Sequence, residues 1–401
     1  MSKLQPVRGT HDLLPDEFEK FFRIQQVARE ITSRYGFREM ATPIFEFTDV
    51  FARTMGETSD VVNKEMYSFE DRGAESLTLR PEFTAGMVRS VISNGLQQNL
   101  PLKLFTTGAV FRYERPQKGR QRQFHQLNVE HFGDATPLAD AEAILMAAEL
   151  LKALGISSEL HINSLGDAES RALHREALVS YLGKYKNDLS EDSKTRLEKN
   201  PLRILDSKDE GDKKICENAP KLADSFNDIS RKFFDDVQNL LAANNQALTI
   251  NHNLVRGLDY YNHTVFEFKS AELGAQDTIL AGGRYDGLVK QMGGQDIPAI
   301  GWGAGLERLL LLAEIKPQAR EIYAVIAGND ELKSTALQIC QNLRAQGKMA
   351  EIIAQTNIGK AMKKANNMGA SFAVIYGEDE AKENSYTLKN LNSGEQIKVN
   401  I

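Results

Sequence analysis

"GWGAGLERLL", residues 301–310, reads as a strand that turns directly into a helix. Gly301, Gly303 and Gly305 fall at i, i+2 and i+4, and side chains alternate across a strand, so one face of this strand carries no side chain. A flat ligand could lie on that bare backbone, with Arg308 exposed near the start of the helix to meet an anionic or aromatic group. Strand glycines more often serve only to let a helix pack closely. Three in register followed by Glu307 and Arg308 point to a ligand.

The next informative stretch is "QFHQLNVEHFG", residues 123–133, where Phe124, Gln126, Asn128 and Glu130 share one face of a strand and His125, Leu127 and Val129 the other. Before it, "KLFTTGAVFRYE" (103–114) reads as a strand running through Arg112 and Glu114, joined to its partner by a basic loop. Five cations, Arg112, Arg115, Lys118, Arg120 and Arg122, crowd this segment of a chain whose formal net charge is -6. Gln, Asn and Glu beside Arg112 and Glu114 make the floor of a polar pocket; the alternative is a solvated face of an antiparallel sheet.

The rest of the chain supplies the frame. Pro15, Asp16 and Glu17 open an amphipathic helix that Gly36 ends, and "LTLRPEFTAGMVRSVI" (77–92) is a strand ending at Pro81 and then a helix. A helix runs from Asp140 to Leu154, and charged, helix-forming sequence fills the region from 168 to 245. "LVRGLDYYNHTVFEFK" (254–269) and "TILAGGRYDGLV" (278–289) return to strands, and beyond Lys316 and Pro317 strands and helices alternate until a hairpin with the turn "NSGE" (392–395). The expected fold is an α+β domain over residues 1–320, built on an antiparallel sheet and interrupted by a helical insertion at about 168–245. A small α/β domain follows over 321–401.

Composition narrows the function. With 401 residues, 41% hydrophobic and 26% charged, the chain reads as an ordinary globular protein of more than one domain. A pI near 5.8 argues against a general polyanion binder but leaves local basic patches free to touch nucleic acid. Cys216 and Cys340 show no metal-ligand spacing, so no disulfide framework and no metal held by a protein cluster is expected. An N-terminus without an apolar signal stretch, and no apolar run of about 18 residues, predict a cytoplasmic protein with no membrane partner. Neither a phosphate loop nor a first-strand GxGxxG is present, so ATP, if bound, must be held by arginines. Arg112, Arg115, Arg120, Arg122, Arg256 and Arg308 are candidates, and Phe124 could supply a stacking face.

Taken together these segments resemble one family. The segment ending at Pro43, the "FRYE" strand with its loop, and "GWGAGLERLL" are similar to motifs 1, 2 and 3 of the class II aminoacyl-tRNA synthetases. "VRGLDYYNHTVFEF" and "LAGGRYDGL" resemble the two signature peptides of the histidine enzymes, and "RGTHDLLP" and "TLRPEFTAG" also resemble that family. The likeness runs in family order from residue 8 into the C-terminal α/β unit, which is similar to an anticodon-binding domain. The departure is Phe83, where the family usually has glycine.

The resemblance implies a histidine–tRNA ligase that forms histidyl-adenylate from histidine and ATP and passes histidine to the 3′ end of its tRNA. It implies that Arg112 holds the α-phosphate, that Arg120 and Arg308 hold the outer phosphates, that Arg308 and Phe124 sandwich adenine, and that Glu114 orients ATP. Glu82 and Thr84 would take the α-amino group of histidine, with Gln126 assisting. Glu130 and Tyr261, with Tyr260 nearby, would bracket the imidazole; Arg256 and Arg112 would be the catalytic arginines, Arg256 stabilising charge during attack. A neutral imidazole needs one acceptor and one hydroxyl, and a ring lacking its nitrogens would strand both, worth roughly 10⁴-fold in discrimination. Tyr260 and Tyr261 are adjacent, so within a strand only one faces the ligand, and Tyr261 is favoured. Mg²⁺ would be held mainly by ATP phosphates, and motif 1 implies a homodimer. The competing readings are a histidine-binding regulatory subunit of ATP phosphoribosyltransferase, without catalysis, and a class II synthetase for threonine or proline.

Overall fold

A computed structural model describes residues 4–55, 65–115, 120–205, 207–255, 260–274, 277–315, 320–355 and 357–401. Arg256, Lys118, Lys316 and Pro317 lie outside the described residues. The chain divides into two compact units, Met1–Lys316 and Pro317–Ile401.

The first unit begins with α1 (Pro15–Arg34), β1 (Arg38–Glu39), β2 (Phe45–Phe47), α2 (Thr48–Met55), β3 (Tyr67–Glu70), β4 (Ser76–Leu79) and α3 (Thr84–Ser93). It continues with β5 (Leu102–Phe111), β6 (Gln123–Phe132), α4 (Pro137–Ala153), β7 (Glu159–Ser164), α5 (Ala168–Gly183), α6 (Glu191–Lys199), α7 (Glu210–Cys216) and α8 (Asp228–Ala243). The last elements are β8 (Thr249–Ile250), β9 (Asn262–Lys269), β10 (Thr278–Arg284), α9 (Leu288–Gln291), β11 (Ala299–Gly305) and α10 (Leu306–Leu312).

Eight strands form one sheet in the order β1-β5-β6-β11-β10-β9-β7-β8, and β2-β4-β3 form a small second sheet. From β5 across to β7 every pair is antiparallel. The two-residue edge strands β1 and β8 join in parallel instead, so the sheet is mixed at its margins. Parallel neighbours need a long crossover, and here the chain reaches β8 from β7 only through α5 to α8.

Strand alternation sends Leu127, Val129, Trp302, Ala304, Phe266 and Phe268 to one face, where Ile24, Ala28 and Ile31 of α1, Ile144 and Leu151 of α4, and Val237 and Leu241 of α8 bury them. The 3.6-residue repeat of α1 makes those contacts continuous. Helix α8 therefore belongs to the sheet's own core. Only α5 to α7 and their connections surround a separate small core of Leu178, Leu182, Leu189, Leu197 and Ile204.

A fully buried ion pair fixes α4 to the sheet. Arg284 Nε donates to Asp140 Oδ1 at 3.0 Å, both side chains are 0% exposed, and Nη1 reaches Asp286 Oδ1 at 2.9 Å. Removing one partner of such a pair strands a buried charge. Asp140→Ala will therefore lower unfolding free energy by about 3 kcal/mol in urea titration; a loss under about 1 kcal/mol, typical of an exposed pair, would contradict this account of the pair.

The second unit is β12 (Ile322–Ala327), α11 (Lys333–Ala345), β13 (Met349–Ile353), α12 (Ile358–Asn367), β14 (Phe372–Tyr376), α13 (Glu378–Lys382), β15 (Ser385–Asn390) and β16 (Gln396–Asn400). Its sheet has the order β13-β12-β14-β15-β16, with β12 parallel to both neighbours and β15 and β16 forming the terminal hairpin. Helix α11 covers one face through Ile339 and Leu343, and α12 the other through Ala361 and Ala365.

Candidate active site

The site lies on the sheet face opposite the main core. Register sets Gly301 against Glu130, Gly303 against Asn128 and Gly305 against Gln126, and β10 adds Ala281 and Gly283 on the other side of β11. The glycines have different jobs. Gly303 and Gly305 line a cavity of about 310 Å³ together with Arg112, Glu114, Phe124, Gln126 and Arg308. A methyl group on Gly301 would fall 1.8 Å from Glu130 Oε2 and 2.4 Å from the Val129 carbonyl oxygen. So the bed of bare backbone spans two glycines, and the third makes room for a carboxylate of the protein itself.

At one end of the cavity three guanidinium groups converge. Arg112 Nε donates to the Pro81 carbonyl at 2.9 Å, and its guanidinium carbon stands 5.4 Å from the Phe124 ring centre. Arg120 Nη1 donates to Glu114 Oε2 at 2.6 Å, and Arg308 Nη1 donates to the Thr278 carbonyl. Burial, then the charges of Arg120 and Arg112, push Arg308 below the usual guanidinium range, with Glu114 opposing. Such a cluster is poised for an anion with several oxygens. Arg112 and Glu114 stand just past β5 rather than within it. Arg112 N still donates to the Arg122 carbonyl in the register of the β5–β6 pair, and the chain leaves that ladder at Tyr113, whose N–H turns to the Glu65 carbonyl. Glu307 accepts from His125 N at 2.9 Å and contacts Nδ1 at 2.8 Å, tying α10 to β6 and giving His125 a structural role.

The other end is a buried carboxylate among hydroxyls. Glu130 is 1% exposed; Thr84 Oγ1 donates to Oε1 at 2.7 Å, Asn128 Nδ2 donates to it at 3.2 Å, and the Tyr285 hydroxyl donates to Oε2. Burial pushes the Glu130 carboxyl up to about 7 against the pull of those three donors. Glu82, likewise raised by burial, accepts from Thr84 N at 2.6 Å and Ala85 N at 2.9 Å, closing the first turn of α3. Phe83 has φ -101° and ψ -30°, which any residue adopts. Its buried ring lies 4.3 Å beneath the Arg80 guanidinium and packs with Met87 and Val110, so its bulk fills core.

Tyr260 and Tyr261 precede β9, so strand alternation does not divide them. Their ring centres are 4.6 Å apart, and they stand 5.6 Å and 6.5 Å from that of Tyr285. Arg171 of α5 donates to the Tyr261 carbonyl at 3.0 Å, linking the helical segment to this corner. Sequence reasoning missed Tyr285, although "LAGGRYDGL" contains it: only the pairing of β10 with β11 shows that it reaches Glu130. Among the described residues no donor reaches Gln126 Oε1 or Asn128 Oδ1, both buried. A buried acceptor left so costs about 1–3 kcal/mol, which marks a place where a partner is expected.

Comparison with known proteins agrees with this geometry. Residues 9–309 match the family described as "Histidyl-tRNA synthetase", and residues 322–401 match "Anticodon binding domain". A histidine–tRNA ligase of Rhodospirillum rubrum is 52% identical over 404 residues, covering 100% of this chain and 97% of that protein. The crystal structure of apo S. aureus histidyl-tRNA synthetase superposes with a TM-score of 0.85 at 33% identity, covering 99% of this chain and 97% of that one. A Bacillus halodurans chain described as an ATP phosphoribosyltransferase regulatory subunit/histidyl-tRNA synthetase has a TM-score of 0.67 at 22% identity over 94% of this chain and 99% of its own. That last likeness is one of fold.

Proposed function

The chain belongs to the histidyl-tRNA synthetase family, and on that premise we propose how its site performs the ligase reaction of histidine with tRNA. Histidine's carboxylate attacks the α-phosphate of ATP, the bond to pyrophosphate breaks, and histidyl-adenylate forms. A ribose hydroxyl at the 3′ end of tRNA then takes the acyl group, releasing AMP. Such in-line displacement depends mainly on positioning and electrostatics.

ATP lies on the backbone of Gly303 and Gly305, adenine between Phe124 and Arg308, the α-phosphate on Arg112 and the outer phosphates on Arg120 and Arg308, with Glu114 orienting it. Histidine's amino group meets Glu82 and Gln126 close to the Thr84 hydroxyl; its ring lies between Glu130 and the tyrosine corner of Tyr260 and Tyr261, with Tyr285 holding Glu130 in place. Arg256 stabilises charge during attack. Mg²⁺, carried by the ATP phosphates, would add further neutralisation.

The protein acts in the cytoplasm as a homodimer. Ile44, Phe45, Phe47 and Phe69 stand 46–56% exposed around the small β2-β4-β3 sheet, an apolar patch of the kind a second subunit covers. Among the described residues no helix is long and apolar enough to cross a membrane.

The observation that carries this reading is the guanidinium cluster over a backbone without side chains, next to a buried, hydroxyl-bound Glu130. Histidine-dependent exchange of pyrophosphate into ATP tests it. Exchange with histidine and none with threonine or proline is expected; a folded sample showing none would favour a regulatory protein. Arg256→His should reduce exchange by roughly 10²- to 10³-fold with histidine binding retained. Exchange near the original rate would remove Arg256 from this role.

A further inference from the structure

We propose that Asn128 accepts, through Oδ1, a hydrogen bond from the α-ammonium group of the bound amino acid, and forms with Gln126 Oε1 and a Glu82 oxygen a three-acceptor cradle for it. This rests on the site being a histidine pocket.

Asn128 is 5% exposed, at the middle of β6 and directly across from Gly303. Chemistry fixes the orientation of its amide. One end stands 3.2 Å from Glu130 Oε1, an oxygen that already accepts the Thr84 hydroxyl proton, so the amide nitrogen must face it. The same nitrogen donates to Thr84 Oγ1 at 3.3 Å. Oδ1 is thereby turned the other way, over Gly303, where a Cβ would stand 2.9 Å from it. Gly303 itself lines the cavity.

Two residues earlier on the same face, Gln126 Oε1 is in the same condition, and among the described residues neither oxygen has a donor. Two withheld acceptors side by side call for a group with more than one N–H. Histidine has two kinds of donor: a ring N–H, which belongs with Glu130, and the three protons of its ammonium. Along β6 that ammonium comes between the ring end, at Glu130, and the carboxylate end of the substrate. Thr84 is the poorer third acceptor, because its hydroxyl proton goes to Glu130 Oε1 at 2.7 Å and it already receives the Asn128 N–H. Asn128 is thus a specificity residue for the α-amino group, separate from the recognition of the ring.

Titration calorimetry on the full chain, with histidine and with 3-(imidazol-4-yl)propionate, tests this, since the second ligand keeps ring and carboxylate but lacks the ammonium. Asn128→Ala should weaken histidine about 10- to 100-fold and change imidazolepropionate by less than about threefold, as expected for one hydrogen bond to a charged donor. Equal losses for the two ligands would show that Asn128 acts only by steadying Glu130, and would overturn the proposal, as would an unchanged affinity for histidine. If the alanine variant does not fold, Asn128→Ser, too short to reach over Gly303, should show the same ammonium-selective loss. A folded wild-type chain that binds no histidine would bring down the reading of the pocket itself, an outcome recognisable before any variant is measured.

Discussion

Gly301→Ala will reduce histidine-dependent adenylate formation by roughly 10³-fold, because displacing a positioned group by about 1 Å costs near 10²-fold and losing its hydrogen bond costs more. The methyl group would fall 1.8 Å from Glu130 Oε2, and β11 is held between β6 and β10, so the strand cannot retreat. Glu130 must swing away, leaving Tyr285 and Thr84. Gly305→Ala is the contrasting variant. Its nearest neighbours would be carbons of Arg308 at 3.7 Å, an ordinary contact, so the protein should fold and bind histidine while its KM for ATP rises. Pyrophosphate exchange with each substrate varied in turn separates the two. Gly301→Ala within tenfold of wild type would mean that Glu130 does not need its seat.

Glu130→Gln will weaken histidine by roughly 10²-fold or more, since a hydrogen bond to a charged partner is lost and an amide N–H₂ is forced against donors. It also changes the response to pH. Burial raises the Glu130 carboxyl from an ordinary value near 4.5 to about 7. A raised carboxyl is ionised only above that value, so acidification through pH 7 removes the acceptor for the ring N–H, and histidine affinity falls. Free histidine itself gains a ring proton near pH 6.5. Below pH 6 the two effects combine, and log(kcat/KM) for histidine should fall with a slope near two per pH unit. Glu130→Gln should leave a slope near one. The same shift makes folding less favourable as pH rises from about 4.5 to 7, because the unfolded chain gives up this proton first. An unaltered slope in the variant would assign the pH dependence to another group.

Much of the frame was legible in the chain. Alternation in 124–130 separated the polar face from Leu127 and Val129, and the glycines at 301, 303 and 305 located the bare strand. The βαβαβ run and hairpin of the second unit follow the composition of residues 322–400. What escaped the reading depends on register between distant segments. Tyr285, Gly301 and Glu130 meet only because β10, β11 and β6 pair as they do, and sequence periodicity carries no record of which strand lies beside which. The two-residue strands β1 and β8 are too short to show a repeat, so their parallel pairing could not be foreseen. Arg112 and Glu114 read as a continuation of β5, yet the backbone turns off after Arg112, where Tyr113 N goes to the Glu65 carbonyl and Glu114 N to that of Arg112. Helix α8 resembles its neighbours in charge, and only its packing against α4 separates it from them.

The central claim is that Gly303 and Gly305 bear ATP next to a pocket in which Glu130 receives an imidazole. A crystal structure with histidine and a non-hydrolysable ATP analogue tests it most directly. Adenine stacked between Phe124 and Arg308, phosphates on Arg112 and Arg120, and a ring nitrogen on Glu130 are predicted. Nucleotide bound away from those glycines, or a histidine ring that does not reach Glu130, would contradict it.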